Sequence, residues 1–513
     1  MATDTKINVL QIGQQDWQPE ISNLDSFASL KWQFLDLNKF TDSEIKLIKK
    51  QPANVTIFSD EIPDDLFRRL EPAIDAYSLV IDKQQVEKID QKVLDLKLPQ
   101  IWNLDDKTWV IETIARDFFT GQFGAYLGSY NINVSSEFTG TVKQDGEAFL
   151  ELVGDFSQFE DKPVINWEYN VSLDVKNLSL VLQYEHDEGI EISMILEKYY
   201  SGSNVISETL SFSEDEINKG ITVDGKDNES YISVSLVVKG QGVLKLGPLH
   251  YRMNRHGYGE FLLGGKKVVD PKNKDELFYL YNPGNLKPPL TVYFSGFKGA
   301  EGFEGYFMMK GLGTPFLLIA DQRMQGGSFY LGSESLEQQI TQAIQDTLDQ
   351  LGFTNEQLIL SGLSMGTFGA MYYAINLQPK YVVIGKPLAS IGNIVKTQRI
   401  ERPIMDFVSV LDMQNLLEGD LSEASSNRLN ERFWQPFKEA DFSNTEFDIA
   451  YMKNDDYDGT AYHDLLEVLS KSNSNVISKG ILGRHNDNSE AIVDWFYSQY
   501  KRILRKDYGR RVN

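Results

Sequence analysis

Between residues 358 and 377 three local patterns follow one another. Leu358-Ile359-Leu360-Ser361 is an apolar run, Gly362-Leu363-Ser364-Met365-Gly366 matches G-x-S-x-G, and 367–377 has helical spacing that stops before Pro379. A buried strand, a cramped turn and a helix in that order leave few folds open. The serine has to sit on a sharp strand-to-helix turn, and the flanking glycines leave room for the backbone there. The pentapeptide alone carries little information, because short motifs recur by chance; its setting gives it weight. The helix start would also aim unpaired N–H groups at a developing oxyanion.

The same alternation surrounds this turn. Apolar runs at 290–294, 315–320, 357–361, 381–385, 447–452 and 476–482 predict strands. Glu334–Leu351 predicts an amphipathic helix, with Gly352 placed to end it. The first hundred residues also alternate, with strands expected at 7–12, 32–37, 55–58 and 77–81 and helices at 43–50 and 64–70. Their first turn, Gly13-Gln14-Gln15-Asp16, has one glycine where a dinucleotide fingerprint needs three, so no nucleotide site is expected. From about 125 to 268 the pattern changes to period two, as in Phe149-Leu150-Glu151-Leu152-Val153, which argues for antiparallel strands.

At 513 residues the chain is long enough for about three domains. The expected fold class is α/β: a small α/β domain over 1–105, an antiparallel β-sandwich over 106–268, and an α/β-hydrolase-like domain over 269–513, the boundary lying near Pro271-Lys272-Asn273-Lys274-Asp275. In the β-rich part Trp167, Tyr169, Tyr199 and Tyr200 are either core rings or a platform for carbohydrate.

A serine hydroxyl needs a base oriented by an acid, and in α/β-hydrolases the order is Ser, then Asp or Glu, then His. The chain has five histidines and no cysteine, which removes thiolate nucleophiles, disulfides and thiolate zinc sites. Only His485 falls in a loop between a late strand and the final helix; His463 lies in a helix-like stretch, and His186, His250 and His256 precede the serine. The acid lies in Lys453-Asn454-Asp455-Asp456-Tyr457-Asp458, where Asp455 is preferred and Asp456 stays open. Oxyanion donors are expected from the backbone of Met365 and of Phe297, which follows the glycine turn of the 290–294 strand. Asp321-Gln322-Arg323-Met324-Gln325-Gly326-Gly327-Ser328 resembles the D-x-R-G-x-G-x-S turn of α/β-hydrolases, with Met324 where glycine is usual. No cofactor or metal site is expected.

Asp plus Glu exceed Lys plus Arg by 74 to 50, a net charge of −24, and so acidic a surface repels phosphates, so no nucleic-acid partner is expected. No targeting segment and no run of about 18 apolar residues stand out, so a cytoplasmic location is expected, with membrane contact only peripheral. The exception to the acidity is a C-terminal cluster: Lys501, Arg502, Arg505, Lys506, Arg510 and Arg511. It serves either the end of the last helix or an acidic partner or membrane surface.

Taken together with the opening Ile7-Asn8-Val9-Leu10-Gln11-Ile12-Gly13, the β-rich middle and Gly362-Leu363-Ser364-Met365-Gly366-Thr367, the chain resembles the second of the three accessory Sec system proteins of Gram-positive bacteria. The resemblance implies action beside the accessory SecA motor and two companion accessory Sec proteins, in export of glycosylated serine-rich repeat adhesins. It further implies an O-acetyltransferase acting on N-acetylglucosamine of the adhesin glycans, with Ser364 as nucleophile and His485 as base. The acid carries over to Asp455 or its neighbour, because family members can use Glu there. The acetyl donor is not implied. Two other readings stand beside this one: a glycan acetylesterase, and a scaffold subunit that keeps the hydrolase fold for binding.

Overall fold

A computed structural model describes residues 6–173, 177–226, 228–272, 274–323, 327–401 and 408–510, with side chains described except at 397–401 and 408–411. The chain divides into two compact units.

The first unit runs to Gln122 and takes in Met253–Gly265 and Asn282–Asn285. Its strands are β1 (Ile7–Gly13), β2 (Leu30–Asp36), β3 (Val55–Phe58), β4 (Leu79–Asp82) and β5 (Gln100–Trp102), parallel in the order β2-β1-β3-β4-β5. Its helices include α1 (Asp42–Lys50), α2 (Asp64–Leu70) and α3 (Lys107–Asp117); Thr41 and Glu44 form a capping box that starts α1. Strands buried on both faces need two apolar layers. Val9, Val55, Ile57 and Val80 face one layer, and Leu10, Ile12, Phe58, Leu79 and Ile81 face the other.

Two features depart from the expected 1–105 domain. The α3 residues Val110, Ile111 and Ile114 belong to the first of those layers, so the unit extends past 105 by a helix. The returning segment also belongs here: Tyr258 packs 5.6 Å from Trp102 and 5.1 Å from Phe118, and buried Arg255 donates to the carbonyls of Asp117 and Gly121. At the switch point between β1 and β3, where a sheet of this order would take a ligand, a Cβ on Gly13 would lie 2.0 Å from Ser59 Oγ. The Gln14 N–H beside it is taken by Asp60 at 2.8 Å, and that carboxylate would repel a phosphate.

The second unit holds Phe123–Arg252, Lys266–Tyr281 and Leu286–Asn513. In its β-rich part β6 (Phe149–Asp155), β7 (Asn177–His186), β8 (Ile190–Tyr200), β9 (Ile206–Ser213) and β10 (Glu229–Met253) lie in one connected sheet of 11 strands. The antiparallel pairing follows the expectation, but the two halves are joined because the 25-residue β10 runs through both. Its first half pairs with β8 and its second with β6. The change of partner falls at Gly240 (φ 88) and Gly242 (φ 150); a Cβ on Gly240 would sit 1.8 Å from the Gly189 carbonyl, so only glycine fits.

Eight strands form the last sheet: β11 (Gly265–Val269), β12 (Glu276–Asn282), β13 (Leu290–Phe294), β14 (Phe316–Asp321), β15 (Leu358–Leu363), β16 (Tyr381–Gly385), β17 (Glu446–Met452) and β18 (Asn475–Ile481). Their order is β11-β12-β14-β13-β15-β16-β17-β18, parallel from β14 to β18. The helices of this part include α4 (Glu334–Leu351), α5 (Met365–Leu377), α6 (Glu423–Glu439), α7 (Ala461–Lys471) and α8 (Ser489–Tyr508). Gly352 ends α4 in the left-handed conformation, φ 67. The main core lies between α4, α5, α6 and the sheet, around Phe294, Leu360, Phe368, Phe433 and Phe447.

The β-rich part and this sheet fall in one compact unit, so the boundary expected at 268/269 does not separate two bodies. The reason is polar. Arg252 on β10 pairs with Glu276 on β12 and with Glu301 after β13, all buried, and Asp412 accepts the Glu147 N–H at 2.9 Å. Isolating either part would leave charges unpaired in a core.

Candidate active site

The turn between β15 and α5 is built by exclusion. A Cβ on Gly362 would lie 2.2 Å from the Gly366 carbonyl oxygen, and one on Gly366 would lie 2.0 Å from the Phe294 carbonyl oxygen. Only glycines let the chain turn this tightly over the end of β13. Ser364 between them has φ 53 and ψ −123, a conformation that costs a non-glycine residue about 1–3 kcal/mol and persists only where the surroundings hold it. They do so here: the Ser364 N–H donates to Gly385 O at 2.9 Å, and its carbonyl accepts from Thr367 N–H at 2.9 Å and Thr367 Oγ1 at 2.6 Å.

His485 sits in the loop between β18 and α8, fully buried. Its Nε2 lies 2.8 Å from Ser364 Oγ and its Nδ1 2.9 Å from Asp455 Oδ2. The carboxylate assigns the proton to Nδ1, which leaves Nε2 as an acceptor for the serine hydroxyl. Two further contacts hold the ring. It stacks on Tyr457, centroids 4.1 Å apart and planes 13° apart, and its backbone N–H donates to Asp456 Oδ1 at 3.0 Å.

The acidic loop after β17 thus divides its labour. Asp455 faces the imidazole; its Oδ1 accepts the N–H groups of Tyr457 at 2.9 Å and Asp458 at 3.4 Å. Burial pushes the Asp455 carboxyl up, but the hydrogen bond and charge of His485 and those N–H groups outweigh it and hold it below the usual carboxylate range. Asp456 holds the backbone of the histidine loop. Asp458, 4% exposed, accepts the N–H groups of Ala389 and Ser390, and burial pushes its carboxyl up to about 6.

Met365 begins α5, so its N–H belongs to the first turn, where no intrahelical partner exists. Phe297 stands exposed on the turn after β13, in which the Gly296 N–H is taken by Glu304 at 2.6 Å. Asp321 organises the next turn: its carboxylate binds Arg323 through Nε at 2.9 Å and Nη2 at 2.7 Å, and accepts the Ser328 and Tyr330 N–H groups. Met324, Gln325 and Gly326 of that turn lie outside the described residues. His463 lies in α7, against the Tyr451 and Tyr462 rings.

The expected aromatic platform divides. Trp167 is buried, Tyr199 stacks on Tyr231 at 4.8 Å, and Tyr169 and Tyr200 are exposed. In the basic C-terminus Arg502 pairs with Glu446 and Asp448 at 2.6 Å, and Arg510 donates to the carbonyls of Lys287, Pro288 and Gly313; Arg511 lies outside the described residues. Sequence reasoning missed Glu304 and Lys386, which belong to no motif, and gave Tyr457 and Asp458 of the acidic run no role of their own; only the convergence of separate loops marks what these four do. It also missed a groove of about 760 Å³ lined by Trp434, Asn393, Asn430, Asp464 and Ser390. Trp434 Nε1 donates to Ser390 Oγ at 2.9 Å, and Ser390 N–H to Asp458, which joins the groove to the acidic loop. Among the described residues no group of three or more His, Cys, Asp or Glu could hold a metal ion, and no helix is long and apolar enough to cross a membrane.

The chain is similar to known proteins over its whole length. A family model described as accessory Sec system GspB-transporter matches residues 7–510. An accessory Sec system protein of Streptococcus gordonii is 37% identical over 512 residues, 99% of each chain, and one of Staphylococcus aureus is 36% identical over 522 residues, 98% of each. A chain of the Glycosylation Associate Protein complex from Streptococcus agalactiae superposes with a TM-score of 0.88 at 36% identity, covering 99% of both chains. A family match and relatives of this extent place the molecule: the chain belongs to the accessory Sec system GspB-transporter family.

Proposed function

We propose that this protein is a serine-dependent O-acetyltransferase with an α/β-hydrolase domain, which acetylates N-acetylglucosamine on serine-rich repeat adhesins and supports their export. The observation that carries the reading is the hydrogen-bonded chain from Ser364 through His485 to Asp455, set on a strained strand-to-helix turn. Ser364 Oγ attacks the acyl carbonyl and passes its proton to His485 Nε2, while Asp455 stabilises the imidazolium. The tetrahedral oxyanion is stabilised by the N–H groups of Met365 and Phe297. The leaving group departs with the proton from His485. A sugar hydroxyl then attacks the acyl-serine while His485 takes its proton, and the ester bond to Ser364 breaks as His485 returns that proton to Oγ and the acetylated sugar leaves. Water in place of the sugar would make the same site an esterase.

Two further observations favour a glycan acceptor and an assembly. The groove beside Ser390 sets an indole and the amides of Asn393 and Asn430 among carboxylates and lysines, groups that can stack on a sugar ring and hydrogen-bond its hydroxyls. The similar Streptococcus agalactiae chain belongs to a complex, so companion accessory Sec proteins are the proposed partners, with the accessory SecA motor and the adhesin. The work would take place in the cytoplasm, with peripheral contact at the membrane.

A fluorophosphonate probe should label the protein, and Ser364→Ala should abolish the labelling. Mass analysis of adhesin glycans made with Ser364→Ala should then show acetyl groups missing, while the variant still co-purifies with its companions. Labelling of the variant equal to wild type, or unchanged acetylation, overturns the enzymatic reading in favour of a scaffold.

A further inference from the structure

Two lysines lie on loops that carry other parts of the proposed site, Lys386 next to Gly385 and Lys298 next to Phe297, and among the described residues neither forms an ion pair. Lys386 directly follows Gly385, whose carbonyl accepts the Ser364 N–H. Its backbone is left-handed, φ 61, and is fixed by a 2.8 Å bond from its N–H to Ala450 O. The side chain is 8% exposed, and Nζ makes a single long hydrogen bond, 3.3 Å to Ser489 Oγ at the start of α8. Lys298 follows Phe297 in the turn after β13; among the described residues its Nζ donates only to the Phe303 carbonyl, also at 3.3 Å.

An ammonium group has three donors, and burying one with a single weak partner is costly. The start of α8 makes it costlier, because a helix N-terminus is itself positive. Burial accordingly lowers the pKa of both lysines, while the charge of Glu304 on both, and of Asp455 on Lys386, opposes it. The charge of Glu304 thus acts on both ammonium groups, and each, with one hydrogen bond among the described residues, keeps donors unused. Elsewhere the chain is strongly acidic, at −24 overall, and would repel an anion.

We infer that Lys298 and Lys386 bind the phosphate of the acyl donor, so that the donor is a phosphate-bearing acyl compound, either an acyl phosphate or an acyl thioester of a phosphorylated carrier. This rests on the serine chemistry proposed above. With the phosphate held between the two loops, the acyl carbonyl lies over Ser364. Attack by Oγ forms the acyl-serine and breaks the C–O bond of the mixed anhydride, releasing phosphate, or the C–S bond of the thioester, releasing a thiol that takes its proton from His485. Both lysines bind substrate and neither takes part in proton transfer.

The test compares acetyl phosphate, acetyl-coenzyme A and p-nitrophenyl acetate, which carries no phosphate, on the full chain with Lys298→Gln, Lys386→Gln and both together. For each substitution, kcat/KM with one phosphate donor should fall at least tenfold relative to kcat/KM with p-nitrophenyl acetate. The loss should appear mainly in KM, and added salt should reproduce it in the wild type. The donor whose turnover shows this dependence names the source. Lys298 is half-buried on a turn, so Lys298→Gln keeps the test open if Lys386→Gln fails to fold. An unchanged ratio, or equal loss on all three donors, makes the lysines structural and overturns the inference. Ser364-dependent turnover of p-nitrophenyl acetate with none of either phosphate donor overturns it and leaves the serine assignment standing. Absence of Ser364-dependent turnover on every donor removes both.

Discussion

Replacing Asp455 by Asn should be far more damaging than the same change at Asp456, although the two are neighbours and isosteric in the change. At Asp455 one carboxylate oxygen accepts the Tyr457 and Asp458 N–H groups, at 2.9 and 3.4 Å, and the other receives Nδ1–H of His485 at 2.9 Å. An asparagine has one acceptor oxygen, and the two backbone donors claim it. Its NH₂ group then faces Nδ1 and donates to it, which forces the ring proton onto Nε2. In that tautomer Nε2 donates to Ser364 Oγ and cannot take its proton. Loss of the correct tautomer in a serine triad costs about 10⁴-fold in kcat, or about 5.5 kcal/mol. Asp456 instead accepts the backbone N–H of His485 at 3.0 Å, which an amide oxygen can also do, so Asp456→Asn should stay within about tenfold of wild type. The rate of fluorophosphonate labelling and steady-state turnover of p-nitrophenyl acetate both read the difference. An Asp455→Asn enzyme within tenfold of wild type would refute the reasoning, as would an Asp456→Asn enzyme equally impaired.

Other changes follow from the same geometry. Gly366→Ala places a Cβ 2.0 Å from the Phe294 carbonyl, so it should abolish probe labelling and lower the melting temperature; near-normal labelling would mean the turn relaxes freely. Asp458 is raised by burial to about 6 in the fold and returns to its ordinary value on unfolding. The native state therefore holds a proton that the unfolded chain has lost, and stability should fall as pH rises from about 4 to about 6, by up to about 3 kcal/mol from this group. Asp458→Asn should flatten that stretch of a melting-temperature profile; an unchanged slope assigns it to other groups. Arg510→Ala frees three carbonyls, at Lys287, Pro288 and Gly313, and should lower the melting temperature while leaving binding to anionic liposomes at low salt unchanged. Turnover should survive EDTA; loss restored by added zinc or manganese would show that a metal takes part.

Local pattern determined more of this protein than its length suggests. Strand spans such as Val55–Phe58, Leu290–Phe294 and Tyr381–Gly385, and the helix Glu334–Leu351 closed by Gly352, are written in apolar periodicity and in a residue suited to a left-handed cap, both of which act over a few residues. The serine turn is legible for the same reason, since glycine on either side of a crowded residue is a local requirement. What the structure decided depends on residues far apart in the chain. Position beyond the strand favours Asp455 over Asp456 without deciding between them; the choice is made by the loop 30 residues later, where His485 presents Nδ1 to Asp455 and its backbone N–H to Asp456. Domain limits were likewise hidden. The sequence pattern changes near 125 and 270, but Arg255 returns to the carbonyls of Asp117 and Gly121, and Arg252 pairs with Glu276 and Glu301. Buried charges find partners wherever the fold brings them, and sequence distance has no bearing on that. Lys386 shows the limit most clearly: nothing beside it in the sequence marks it, and its position follows only from Gly385 bonding to Ser364 and Ala450 bonding to Lys386, three strands packed side by side.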